Sequence, residues 1–171
     1  MNNPRFIYSK NIGGVIIIQN DWYSDIRGSN FEGFNEEIYK ECIPISFKVD
    51  SFSISKRGVG RGMHGDKQNY KLVQCLFGRV QLVLFDIRKL SDTYERAENF
   101  YLNAEVPTQI LIPPNVLNGH CVLSDSAVFS YKLSNNYVSQ ENQLHAKLND
   151  KRIIKQIKWN IGDMIVSERD K

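Results

Sequence analysis

Short apolar runs recur along the chain at close intervals: GVIII (14–18), SFKVDSFSI (46–54), KLVQCLFG (71–78), VQLVLFDI (80–87), FYLN (100–103), QILIPP (109–114), GHCVLS (119–124) and AVFSYKL (127–133). They are rich in Val, Ile, Leu, Phe and Tyr, and Gly, Pro, Asn, Asp and Ser break them. Strands this short, with no long helices between them, predict an all-β sandwich or barrel. One helix is predicted from Asn35 to Glu41: Asn35 can cap it, Glu36 and Glu37 suit its positive end, and Ile38 and Cys42 share a face. No repeat, low-complexity tract or linker interrupts the 171 residues, so 1–171 reads as one domain with length enough for its own core. Ser167-Glu168-Arg169-Asp170 has the form of a capped first helical turn, although the chain stops one residue later, where ends usually fray.

Charge narrows the partners. The net charge is +3 with both signs scattered, too even a mixture for a nucleic-acid binder, which concentrates Lys and Arg on one face. It suits a small anionic ligand met by a few placed cations. Cys42, Cys75 and Cys121 are an odd set without CxxC spacing, and two lie inside apolar runs, so a disulfide framework is not expected. The longest early apolar stretch, Gly13 to Ile18, is far short of a membrane span or signal core. The expectation is a soluble cytoplasmic protein with no membrane partner.

Chemistry must come from few groups. The only histidines are His64, His120 and His145. A catalytic metal needs about three protein ligands at suitable spacing, and the sequence does not offer them in one place, so no metal is expected. His64 ends a glycine-rich approach, Arg57-Gly58-Val59-Gly60-Arg61-Gly62, which would let backbone approach a ligand while two arginines grip a diphosphate. A hydrogen-bonded loop histidine is the plainer alternative. Tyr131 lies in an alternating strand pattern, where a buried aromatic is the commoner outcome. Asp25-Ile26-Arg27-Gly28 and Glu32 read either as an exposed turn or as a phosphate contact through Arg27 and a ribose or base contact through Glu32. Asn118 and His120 are read as lining the cavity that holds His64 and touching substrate, with a structural role for His120 equally open.

In order and spacing, DIRGSNFEGF (25–34), SKRGVGRGMH (55–64), KLVQCLFGRV (71–80), DIRKLSDTY (86–94), the segment from Ile112 to VLSD, and AVFSYK resemble the dTDP-4-dehydrorhamnose 3,5-epimerase family. The resemblance runs from about Asp25 to the C-terminus. It implies a cupin-type jelly-roll barrel with a few short helices, in a homodimer whose N-terminal strands pair with the partner subunit. It also implies a nucleotide-diphosphate-sugar substrate and no cofactor, with inversion of the carbons beside a C4 ketone through an enolate. The family's base falls on His64, its tyrosine on Tyr131, and the acid that orients the histidine on Asp170. The lysine after the base motif falls on Lys71, and the phosphate-binding arginines fall on Arg27 and Arg61.

The chain departs from the family in informative places. Rhamnose enzymes typically read A-H-G-F where this chain has Leu117-Asn118-Gly119-His120, and Q-x-N-x-S where it has Val49-Asp50-Ser51-Phe52-Ser53. They have Tyr or Phe plus Gln after the histidine, where this chain has Gly65-Asp66. These variants resemble a branch acting on GDP-linked 4-keto-(6-deoxy)heptoses in capsular polysaccharide biosynthesis, which makes that the expected substrate. The alternatives are a dTDP-4-keto-6-deoxyhexose 3,5-epimerase, a C3 epimerase, a 3,4-ketoisomerase of the same barrel, and a non-catalytic sugar-nucleotide-binding cupin. The ketoisomerase fits least, because those enzymes carry further histidines around the base motif.

Overall fold

The computed structural model describes residues 3–136, 139 and 143–171, and the side chain of Cys42, placed above on the helix face, lies outside the description. Thirteen strands are formed among the described residues. The first four are β1 (Arg5–Tyr8), β2 (Ile16–Gln19), β3 (Tyr23–Asp25) and β4 (Gly28–Asn30). After helix α1 (Glu36–Cys42) come β5 (Val49–Lys56), β6 (Gly60–Gly65), β7 (Lys71–Phe77), β8 (Arg79–Asp86) and β9 (Ala97–Asn103). The chain continues through β10 (Thr108–Ile112), β11 (Val116–Val122), β12 (Ser126–Leu133) and β13 (Leu144–His145) to α2 (Lys151–Ile154) and a 3-10 turn at Glu168–Asp170.

Two antiparallel sheets face each other. One is ordered β1-β2-β10-β7-β12-β5, the other β13-β6-β11-β8-β9, and β3-β4 is a separate hairpin. This is the expected jelly-roll of cupin type, as two opposed sheets. Val73, Cys75, Leu82, Leu84, Ile110 and Phe129 fill the space between them with no more than 1 % of their surface exposed. The outer face of the first sheet is also covered, since Ile16, Ile18, Leu72 and Leu111 pack against Tyr39 and Ile43 of the α1 segment. Burial on both faces from Lys71 to Cys75 is why β7 does not read as a strict polar–apolar alternation. α1 begins as its sequence predicts: Asn35 Oδ1 accepts from the backbone N–H groups of Glu37 (3.1 Å) and Ile38 (3.4 Å). Cys75 and Cys121 are buried free thiols. Among the described residues no helix is long and apolar enough to cross a membrane.

Strand β6 is absent from the sequence prediction, and its glycines explain both the omission and the strand. A Cβ on Gly62 would come within 2.4 Å of Gly119 Cα and 2.8 Å of the Asn118 carbonyl, so β6 and β11 can approach only without one. The glycine run therefore serves strand contact, and Gly60 and Gly62 also border the cavity between the sheets. Arg57 is also not beside His64; it reaches Asp125 at 4.0 Å on an exposed turn.

Candidate active site

A cavity of about 790 Å³ opens between the sheets, and His64, Lys71, Asn118, Tyr131, Arg61 and Asp170 all line it. These six come from β6, β7, β11, β12 and the C-terminal turn. Alternation aims Lys71 and Tyr131, while a register shift of β6 against β11 lets Arg61 and His64, three apart, both face the cavity. Met63 turns into the second apolar cluster with Leu117 and Ile153, and His64, next along, faces the cavity. On β7, Val73 and Cys75 continue into the core below Lys71, and on β12 Phe129 lies below Tyr131.

Asp170 is held where the sequence suggested a loose end. Ile165 N–H donates to the Gly58 carbonyl (2.8 Å) and Gly60 N–H to the Ile165 carbonyl (2.9 Å), tying the tail alongside β6. Ser167 precedes the 3-10 turn but makes no side-chain cap, and the Asp170 side chain is 6 % exposed. His64 Nε2 lies 2.7 Å from Asp170 Oδ1. A carboxylate only accepts, so Nε2 carries the hydrogen and Nδ1 keeps the lone pair. Burial lowers the His64 pKa below its ordinary value, and the Asp170 charge and hydrogen bond oppose that shift. The net shift favours the neutral imidazole, the state a base needs.

Lys71 Nζ donates to Asn118 Oδ1 (2.8 Å) and to the His64 carbonyl (3.2 Å), which leaves one of its three donors for a ligand. Burial pulls its pKa down to about 8, against the pull of the Asp66 charge. Asp66 was read only as a departure after His64, yet its carboxylate accepts from Gln68 N–H (2.7 Å), Asn69 N–H (3.1 Å) and Asn69 Nδ2 (2.8 Å), folding the turn that leads into β7. Burial also pushes the Tyr131 phenol above its ordinary pKa, with the Arg61 charge working the other way. The phenol stays protonated and can serve as an acid. Arg61, anchored by Nε on Ser55 Oγ (3.0 Å), holds its guanidinium at the mouth.

Three expected contacts fall elsewhere. Arg27 and Glu32 are not in this wall of the cavity. Arg27 sits on the exposed β3–β4 turn with its guanidinium on Asp25 (2.5 Å), and Glu32 follows on the same exposed arm. The arm's own hairpin carries them away from the sheets. His120 is 1 % exposed and does not line the cavity; it lies behind Tyr131, with Nδ1 3.2 Å from the phenol oxygen. Its position on β11 is two residues past Asn118 and deeper in the core, with the Tyr131 hydroxyl beside its ring.

His145, given no role from sequence, pairs with His64 across β13 and β6, and its Nε2 is 3.6 Å from Asp170 Oδ1. The fold thus collects two histidines and a carboxylate within 4.8 Å, a set that sequence spacing hid. The 2.7 Å contact between His64 and Asp170 is a hydrogen-bond distance. Two ligands on one zinc, with bonds of about 2.0–2.1 Å at a tetrahedral angle, would stand roughly 3.3 Å apart. The His64–Asp170 spacing is thus that of a hydrogen-bonded pair.

Fold and cavity together define a jelly-roll protein of the cupin class with an imidazole–carboxylate couple, a lysine and a phenol in one pocket. The profile of the dTDP-4-dehydrorhamnose 3,5-epimerases matches residues 9–171. The Shigella flexneri enzyme of that name is 36 % identical over 164 residues, covering 93 % of this chain and 89 % of its own. A crystal structure of the Elizabethkingia anophelis enzyme superposes with a TM-score of 0.89 at 35 % identity, covering 99 % of this chain and 94 % of its own. The Legionella pneumophila dTDP-6-deoxy-D-glucose-3,5-epimerase, solved in complex with dTDP-4-keto-L-rhamnose, gives 0.88 at 33 % identity over 98 % of this chain and 89 % of its own. The chain belongs to the dTDP-4-dehydrorhamnose 3,5-epimerase family and is a carbohydrate epimerase acting on a sugar nucleotide.

Proposed function

We propose that the chain inverts C3 and C5 of a dTDP-linked 4-keto-6-deoxyhexose. The observation that carries this reading is the convergence of the His64–Asp170 couple, Lys71 and Tyr131 on a single cavity. The dTDP-sugar bound in the Legionella relative favours this nucleotide and sugar over the GDP-heptose expected from sequence.

The chemistry follows from the ketone. A carbonyl at C4 acidifies the adjacent C–H bonds, because the carbanion delocalises onto oxygen as an enolate. His64 Nδ1 takes the proton from one face, and Asp170 stabilises the imidazolium formed. The free donor of Lys71 meets the negative O4, an electrostatic contribution of about 3 kcal/mol for a well-placed donor. Tyr131 returns a proton to the other face, and inversion results because donor and acceptor differ. Arg61 at the mouth takes the diphosphate.

The homodimer is part of the proposal. Ile26 at the tip of the hairpin is fully exposed, and Phe52 and Ile54 stand 57 % and 77 % exposed on β5, the free edge of the first sheet. Apolar surface of this kind beside an unpaired edge suits strand pairing with a second copy. An exchanged arm would deliver Arg27 and Glu32 to the neighbouring cavity.

The test is incubation with dTDP- and GDP-linked 4-keto sugars in D2O, with C3 and C5 followed by NMR. Deuterium at both carbons of the dTDP sugar is expected; deuterium at C3 alone would reduce the activity to a C3 epimerase. Preference for a GDP-heptose would restore the reading suggested by Asp66 and Asn118, departures that line the cavity. Binding without exchange would mean a non-catalytic cupin. His64→Asn and Tyr131→Phe should each slow inversion about 10²–10⁴-fold.

A further inference from the structure

His120 is the buried titratable group that the proton transfers above leave unused. Its ring stacks on Phe129, centroids 4.3 Å apart and 23° from parallel, and its Nδ1 is 3.2 Å from the Tyr131 hydroxyl. Its Nε2 is buried without a hydrogen-bond partner. The Arg61 charge also acts on the Tyr131 phenol, while the Ser53 Oγ is buried without a hydrogen-bond partner.

The unpartnered nitrogen decides which tautomer is tolerable. With hydrogen on Nε2, an N–H donor would be sealed in an apolar wall with nothing to accept it, a rare and costly arrangement. Nδ1 would then accept the phenol's proton and turn it away from the cavity. With hydrogen on Nδ1, the donor is satisfied by the phenol oxygen and only a bare ring lone pair is left facing carbon. The imidazolium is excluded as well, since burial, with Arg61 and His64 adding to it, lowers the His120 pKa to about 3.

We propose that His120 is a positioning residue for Tyr131, its Nδ1–H donating to the phenol oxygen so that the phenol's own proton points into the cavity. The inference rests on Tyr131 as the acid. When Tyr131 gives its proton to the enolate carbon, the phenolate keeps the Nδ1–H bond, strengthened by the new charge, and later regains a proton from water. His120 itself transfers nothing.

The tautomer is testable without substrate. Long-range 1H–15N correlation on the labelled protein, with His120 assigned by the signals lost in His120→Phe, should show a neutral ring with hydrogen on Nδ1 from pH 5 to 9. Hydrogen on Nε2, or an imidazolium, would overturn the proposal. Kinetically, His120→Phe should lower kcat for inversion roughly ten- to a hundredfold, the worth of one hydrogen bond to a developing charge, with KM within about twofold. Deuterium wash-in without inversion should persist, because His64 is untouched. His120→Asn, whose amide nitrogen falls near the Nδ1 position, should recover part of the loss. If Tyr131→Phe abolishes inversion while His120→Phe inverts at the normal rate, His120 has no such role. If Tyr131→Phe itself inverts normally, the acid has been misassigned and the functional reading fails first.

Discussion

Replacing Asp170 by Asn keeps the shape of the side chain and removes the charge that faces His64 Nε2 at 2.7 Å. Two consequences separate cleanly. A hydrogen bond to a charged group contributes about 1.5–3 kcal/mol, and much of it is felt only when His64 becomes an imidazolium. At 1.36 kcal/mol per decade, kcat/KM should fall about ten- to a hundred-and-fifty-fold. The second consequence is a shift. Burial holds the His64 pKa down, and the Asp170 charge and hydrogen bond are what raise it again. With the charge gone and only a neutral amide oxygen left to accept from Nε2–H, the pKa falls further. The acidic limb of the pH–kcat/KM profile, already shifted down from that of a free imidazole by burial, should move to still lower pH while its plateau drops. Deuterium wash-in and inversion followed by NMR from pH 4.5 to 9 measure both. A limb that moves upward, or a plateau within threefold of the native protein, would refute Asp170 as the orienting acid. Circular dichroism must show the variant folded, since Asp170 also sits beside His145 at 3.6 Å.

Further outcomes follow from the same geometry. Because Lys71 has a pKa of about 8 and acts as a cation, kcat/KM should decline as pH rises through about 8, and Lys71→Met should abolish that limb along with most activity. If the arm is exchanged, mixing inactive Arg27→Ala and His64→Asn proteins under conditions of subunit exchange should restore activity, because one cavity in each mixed dimer is then intact; no recovery would place Arg27 with its own subunit or outside the site. Phe129→Ala, which empties a core position 1 % exposed and removes the stack under His120, should cost about 3–5 kcal/mol in chemical unfolding, with a smaller loss indicating that the sheets close over the gap.

The strands that alternate or run apolar, β2, β5, β7, β8, β9, β10, β11 and β12, were legible because β-branched and aromatic side chains mark surfaces that must be buried. α1 was legible because Asn35 and the two glutamates after it are local signals. β6 was not legible, although it carries His64. Its glycines answer to the backbone of β11, and nothing near them in the chain announces that demand. β13, two residues long, had no pattern to read.

The site divides in the same way. The family resemblance named His64, Lys71, Tyr131 and Asp170, whereas the residues by themselves left a loop histidine, a buried aromatic and a frayed chain end equally open. Which of them meet was a matter of topology: Asp170 reaches His64 across 106 positions, and His145 joins them through one short strand pair. His120 moved from presumed substrate contact to a place behind Tyr131, and Arg27 and Glu32 moved onto an arm. Local sequence specifies what a side chain can do and which way a strand's faces alternate. Depth, partner and tautomer depend on long-range packing, and only the folded chain supplies it.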